Sequence, residues 1–119
     1  MNIIKKHLKK IAEEIEYNGH MDVIDSLSQN LEYANFHFYD DSNDKVIWKK
    51  HYEEIKLSGK SYSKVDARVI ADCSGDNVNI ELAYFISPGE KLYINSNDVK
   101  EITQAINNPQ NAEFEKQSI

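Results

Sequence analysis

Between residues 64 and 87, apolar side chains recur at every second position, twice over. Val65, Ala67, Val69, Ala71 and Cys73 make one row, and Val78, Ile80, Leu82, Tyr84 and Ile86 make another, with Ser74-Gly75-Asp76 between them. Successive side chains of a strand point to opposite faces, so a period of two gathers each row on one face. A helix would scatter the same residues around its circumference. Two such rows joined by a turn predict a β-hairpin over 64–73 and 77–87. The intervening positions carry Asp66, Arg68, Asp72, Asn79 and Glu81, with only Ile70, Ala83 and Phe85 apolar. One face suits a core and the other suits water, the signature of an antiparallel sheet.

The rest of the chain supplies the layer that covers the buried face. Ile4, Leu8, Ile11 and Ile15 have helical spacing and predict a helix over 3–17, capped by Asn2 and stopped at Asn18-Gly19. A second helix is expected at about 22–33, opening at Asp22 and burying Ile24, Leu27 and Leu31. Phe36 and Phe38 then alternate with His37 and Tyr39, Asp40 to Asp44 reads as a polar turn, and Val46, Ile47 and Trp48 return as the second arm of a hairpin. Residues 49–57 suit two periods at once. Trp48, Tyr52 and Ile55 have helical spacing, whereas Val46, Trp48 and Tyr52 suit one face of a strand, so a strand giving way to a turn of helix is expected. Ser87-Pro88-Gly89-Glu90 is another turn, and Leu92 to Ile94 a short strand. A last helix over about 98–107 has Asp98 and Glu101 in capping-box spacing and Val99, Ile102 and Ile106 facing inward, ended by Asn107-Asn108-Pro109.

The expected architecture is one α+β domain over 1–109, followed by a polar, disordered tail at 110–119. In it the N-terminal helical pair, 3–17 and 22–33, packs on an antiparallel sheet of four to five strands, with a short C-terminal helix. The core is expected to include Ile4, Leu8, Ile11, Leu27, Leu31, Val69, Ile80 and Leu82.

Charge narrows the range of partners. Asp and Glu number 20 against 14 Lys and Arg, a net charge of -6. Four of those cations, Lys5, Lys6, Lys9 and Lys10, crowd the first helix, so the acidity belongs to the body of the domain. A nucleic-acid binder needs a basic footprint, and the two successive helices do not make one: the second carries Asp22, Asp25 and Glu32 with no Lys or Arg. No run approaches the roughly 18 apolar residues of a membrane span. The first residues lack the apolar core of a secretory signal, and the lone Cys73 excludes an internal disulfide, so a reducing, cytoplasmic location is expected.

The motifs that would carry chemistry fall short of their requirements. Ser58-Gly59-Lys60-Ser61 ends like a phosphate loop, but the glycine that should open that motif is replaced by Glu54. The run Asp40-Asp41-Ser42-Asn43-Asp44 begins like a calcium loop, yet Lys45 stands at its glycine position and His51 at its final acidic one. His7, His20, His37 and His51 form no metal-binding pair, and they read as surface or half-buried imidazoles. Cys73 ends an apolar row and reads as a small core residue. The paired carboxylates lie in polar stretches, without the desolvation that would push their pKa values apart. No catalytic residue, no metal and no cofactor is expected.

In size, acidity and helix-plus-antiparallel-sheet layout the chain resembles the bacterial immunity proteins that neutralise secreted or contact-delivered toxins. The resemblance rests on layout alone and brings no motif. It implies a non-catalytic cytoplasmic protein, monomeric or weakly dimeric, that binds a basic protein such as a nuclease toxin domain. Charge then nominates Asp40, Asp41, Asp44, Asp72, Asp76 and Glu81 as the partner-binding residues. A second reading is a small-molecule-binding or enzymatic domain similar to the cone-shaped NTF2-like fold, with a pocket lined by Trp48, Tyr52, Tyr84 and Phe85. No Asp-His dyad at a recognisable spacing supports it.

Overall fold

A computed structural model describes residues 20–119, so the expected helix at 3–17, with Ile4, Leu8, Ile11 and His7, lies outside the described residues. The elements run α1 (His20–Tyr33), β1 (His37–Ser42), β2 (Lys45–Leu57), β3 (Lys60–Asp72), β4 (Asn79–Ile86), β5 (Glu90–Ser96), α2 (Val99–Asn107), a 3-10 turn (Pro109–Asn111) and β6 (Glu115–Ser118). The strands form one six-stranded sheet in chain order, and every neighbouring pair is antiparallel.

The hairpin expected at 64–73 and 77–87 is present as β3 and β4, with Val69 opposite Leu82 and Ala71 opposite Ile80. All ten residues of its two apolar rows are buried. Helix α1 adds Ile24, Leu27 and Leu31, and α2 adds Ile102 and Ile106, to the same core. The Asn30 amide donates to Thr103 Oγ1 at 3.0 Å and links the two helices. Helix α1 ends because Asn35 takes a left-handed φ of 67°, which lets Phe36 N donate back to Leu31 O at 2.9 Å and Asn35 N to Glu32 O at 3.0 Å. Lys50 of β2 then donates to the Ala34 carbonyl at 2.7 Å, fastening the helix end to the sheet. The expected cap of α2 is present too: the Asp98 carboxylate accepts from Lys100 N at 2.9 Å.

Two of the hairpin corners are two-residue turns with both central residues left-handed, the geometry that matches strand twist. They are Asn43-Asp44 (φ 54° and 62°) and Ser58-Gly59 (φ 53° and 80°). Asp40–Ser42 therefore belongs to β1, and the turn expected across Asp40–Asp44 shrinks to its last two residues. The Gly-Lys-Ser run is likewise a hairpin corner, with no helix behind it.

Residues 49–57 are strand throughout, without the expected turn of helix. β2 pairs with β3 from Lys45↔Asp72 to Leu57↔Lys60, which satisfies backbone groups that a helix would have to bond internally. The helix-like spacing has another origin. Core-facing residues run Val46, Trp48, Tyr52 and then Ile55 and Leu57 on β2, and Tyr62 and then Val65 on β3. The alternation slips by one residue on both strands at the Glu53–Lys64 level, where no pair is made and Lys64 has a φ of 55°. Beyond the slip the hairpin turns onto the core side. Its tip is tied to the 3-10 turn by Ser58 N donating to Pro109 O at 3.1 Å and Ser58 Oγ to Ala112 O at 2.6 Å.

The sheet has six strands and not four to five because the expected polar tail supplies one. β6 pairs with β5 from Tyr93↔Glu115 to Glu90↔Ser118. All four of its residues are exposed, so its backbone and not its side chains joins the sheet. Phe114 anchors it, with its ring edge-on to Tyr84 at 5.5 Å between centroids.

Candidate functional site

The strand order brings two acidic turns to the same end of the sheet. Lys45 pairs with Asp72, and Cys73 N donates to the Asp44 carbonyl at 2.8 Å, so the β1–β2 and β3–β4 connections sit side by side. Asp44, Asp72 and Asp76 are carried on these connections, with Asp41 and Asp40 behind them on β1. His20 Nε2 donates to the Asp76 carbonyl at 3.2 Å and draws the start of α1 to this end, together with exposed Asp22 in its first turn. Nothing in the sequence spacing links Asp22 or the buried His20 to the sheet turns; the tertiary contact alone does so. The Asp72 carboxylate accepts from Ser74 Oγ at 2.7 Å and Ser74 N at 3.0 Å. These bonds, the hydroxyl's foremost, hold it below the usual carboxylate range, so it is charged at neutral pH.

Glu81 stands apart from this group. It lies on the outer sheet face, one-fifth exposed, with Lys91 Nζ at 3.1 Å and Arg68 at 3.8 Å. Its charge is already compensated by its own chain. The aromatic set is also divided by strand alternation. Trp48 and Tyr84 are fully buried on the core face, and Tyr52 packs beside them with its ring centroid 6.1 Å from that of Tyr84. Phe85 points to the opposite face beneath Arg68, whose guanidinium lies 4.7 Å from the ring centroid. The four do not line one cavity.

The outer face holds a shallow concavity of about 630 Å³, lined by His37, Tyr39, Lys49, His51, Arg68 and Phe85 among others. Within it His51 lies directly across from Asp66, and its Nδ1 meets Asp66 Oδ1 at 2.8 Å while Nε2 meets Glu53 Oε2 at 2.7 Å. The hydrogen bond to Asp66, then that to Glu53, pushes the imidazole pKa above its ordinary value. This is an Asp-His pair that linear spacing could not reveal, since its partners are 15 residues apart and meet only through strand register. Both ring nitrogens are occupied, and the two carboxylates are three-quarters exposed.

Among the described residues, no cluster of three His, Cys, Asp or Glu side chains is arranged to hold a metal ion. Burial pushes the Cys73 thiol up to about 11, which keeps it protonated and poorly nucleophilic. None of the described helices is long and apolar enough to cross a membrane. Comparison with protein families, with curated proteins and with solved structures found no match.

Proposed function

We propose that this protein is a non-catalytic binding protein that docks a basic protein through the acidic end of its sheet. Neutralisation of a basic toxin domain in the cytoplasm, in the manner of an immunity protein, is the specific form of that role we favour. The observation that carries the reading is the contact between the two turns: Cys73 N on Asp44 O, at 2.8 Å, puts the Asp44, Asp72 and Asp76 segments next to one another. Exposed carboxylates concentrated at one end create a directional field, which speeds encounter with a positively charged partner. Glu81 drops out of the proposed surface because Lys91 and Arg68 already engage it. The pocket expected of Trp48, Tyr52, Tyr84 and Phe85 does not form, since Trp48 and Tyr84 are core residues, and a small-molecule site would lie elsewhere, on the outer face.

The test compares the wild-type chain with an Asp44→Asn, Asp72→Asn, Asp76→Asn triple variant. Asn keeps the acceptor that Ser74 uses and tolerates the left-handed turn, so the fold is retained. Capture from the source cell, followed by kinetics with the purified partner, is expected to give a stoichiometric protein of net positive charge. Its association with the variant is expected to be roughly tenfold slower at low salt and to converge with wild type at high salt. A partner that associates with both proteins at equal rates at every ionic strength refutes the reading.

A further inference from the structure

The outer-face concavity reverses the charge of the molecule around it. Strand register places His37 opposite Lys49 and Lys49 opposite Arg68, three basic side chains in one row across β1, β2 and β3. Directly opposed residues of an antiparallel pair have Cα atoms only about 4.5–5.5 Å apart, and like charges there destabilise the sheet. The nearby carboxylates relieve the row only in part, because Glu81 is shared between Arg68 and Lys91. Asp66 is engaged by His51 at 2.8 Å, and Glu81 is held closer to Lys91, at 3.1 Å, than to Arg68, at 3.8 Å. Lys49 makes no ion pair with any described residue; its ammonium rests on the Tyr39 ring, 3.6 Å from the centroid. Arg68 lies over Phe85, and its Nε is buried with no partner among the described residues. A net charge of -6 makes such a grouping conspicuous, because random placement would favour acids beside these cations.

From this row we infer that the concavity is a binding site for a small aromatic phosphate monoester, with the phosphate between Lys49 and Arg68 and the planar ring against Tyr39. A phosphate can engage Lys49, which has no ion pair among the described residues, and Arg68, which shares Glu81 with Lys91, at the same time. The guanidinium fork suits two phosphate oxygens, and the lysine supplies a mobile point charge. Tyr39 is 60% exposed, and drawing the Lys49 ammonium onto the phosphate uncovers the ring face on which it now rests. The volume of about 630 Å³ fits a molecule of nucleoside monophosphate size. The site is separate from the acidic end and stands whether or not a basic protein binds there.

The experiment is a titration of the full chain, followed by amide chemical shifts, with phenyl phosphate, adenosine monophosphate, inorganic phosphate and phenol. Saturable shifts at Lys49, Arg68 and Phe85 are expected with the two aromatic phosphates, at least tenfold tighter than with inorganic phosphate or phenol. Arg68→Gln and Lys49→Gln are each expected to weaken binding about tenfold or more, the loss of one charged hydrogen bond. Lys116→Gln, on the far edge strand, is expected to bind as wild type does. A second readout is the melting temperature, which phenyl phosphate should raise in wild type and in Lys116→Gln but not in the other two. Shifts that do not saturate, equal losses in all three variants, or inorganic phosphate binding as tightly as phenyl phosphate would overturn the assignment.

Discussion

His51 shows how a single side chain acquires properties that its type does not specify. Bridged by Asp66 and Glu53, it holds its proton above the ordinary imidazole value near 6.5. A folded-state pKa above the unfolded one contributes stability that is complete below the unfolded value and disappears as pH rises through the folded value. The melting temperature of wild type is therefore expected to exceed that of Asp66→Asn below the ordinary imidazole pKa, with the gap closing as pH rises through the raised folded-state value. An imidazole titration by NMR gives the direct check, its midpoint falling in Asp66→Asn. Tyr84 makes the opposite case. Its hydroxyl is buried with no partner among the described residues, and burial raises its pKa well above the usual phenol value. An unpaired buried hydroxyl costs about 1–3 kcal/mol. Tyr84→Phe, which keeps the ring against Phe114, is expected to leave stability unchanged or raise it by about 1 kcal/mol in urea unfolding. A loss of that size would show that the hydroxyl has a partner.

At the scale of elements, the long β2–β3 hairpin is shaped by its phase slip. Lys64 holds a φ of 55°, which costs a non-glycine residue roughly 1–2 kcal/mol, while glycine loses about 0.5–1 kcal/mol in entropy. Lys64→Gly is expected to stabilise by about 0.5 kcal/mol, and Lys64→Val to destabilise by about 1–2 kcal/mol because a β-branched residue tolerates that region worst. Urea midpoints of the two variants give the sign. The last strand offers a second test. Deleting residues 113–119 removes Phe114 and the backbone pairing of β6, for a cost of about 1–3 kcal/mol. A frayed tail would cost nothing. The sequence hides this strand because an edge strand exposed on both sides needs no apolar alternation, which is the signal that marks the others. The same absence of periodicity explains why 49–57 reads two ways: the slip at Lys64 turns two strand registers into an apparent helical repeat.

The described part of the molecule is one cluster of buried side chains drawn from α1, the sheet, the hairpin tip and α2. Leu82 sits in that cluster with no exposed surface, paired across to Val69 and Ile94. Leu82→Ala is expected to cost about 2–5 kcal/mol, since rigid neighbours on both strands cannot close the cavity. Trp48 is the one tryptophan and is fully buried, so its emission reports the same core. Fluorescence and far-UV dichroism are expected to give coincident unfolding curves in wild type and in Leu82→Ala. Separate transitions would mean that helices and sheet do not share a single cooperative core.

Local periodicity by itself determined the α+β class, the β3–β4 hairpin with its buried face, the apolar stripes of α1 and α2, and the Asp98 cap. Each of these is a short-range pattern in which neighbours along the chain are also neighbours in space. Register decided the rest. Only the pairing of β2 with β3 brings Asp44 beside Cys73, His51 beside Asp66, and Lys49 beside Arg68. Pairing also explains why Glu81 is compensated, for Lys91 reaches it across from β5. Phe85 and Tyr84, adjacent in sequence, end on opposite faces because strand geometry divides them. Charge relations across a sheet depend on which rung meets which, and that is set by turns and bulges many residues from the side chains they bring together.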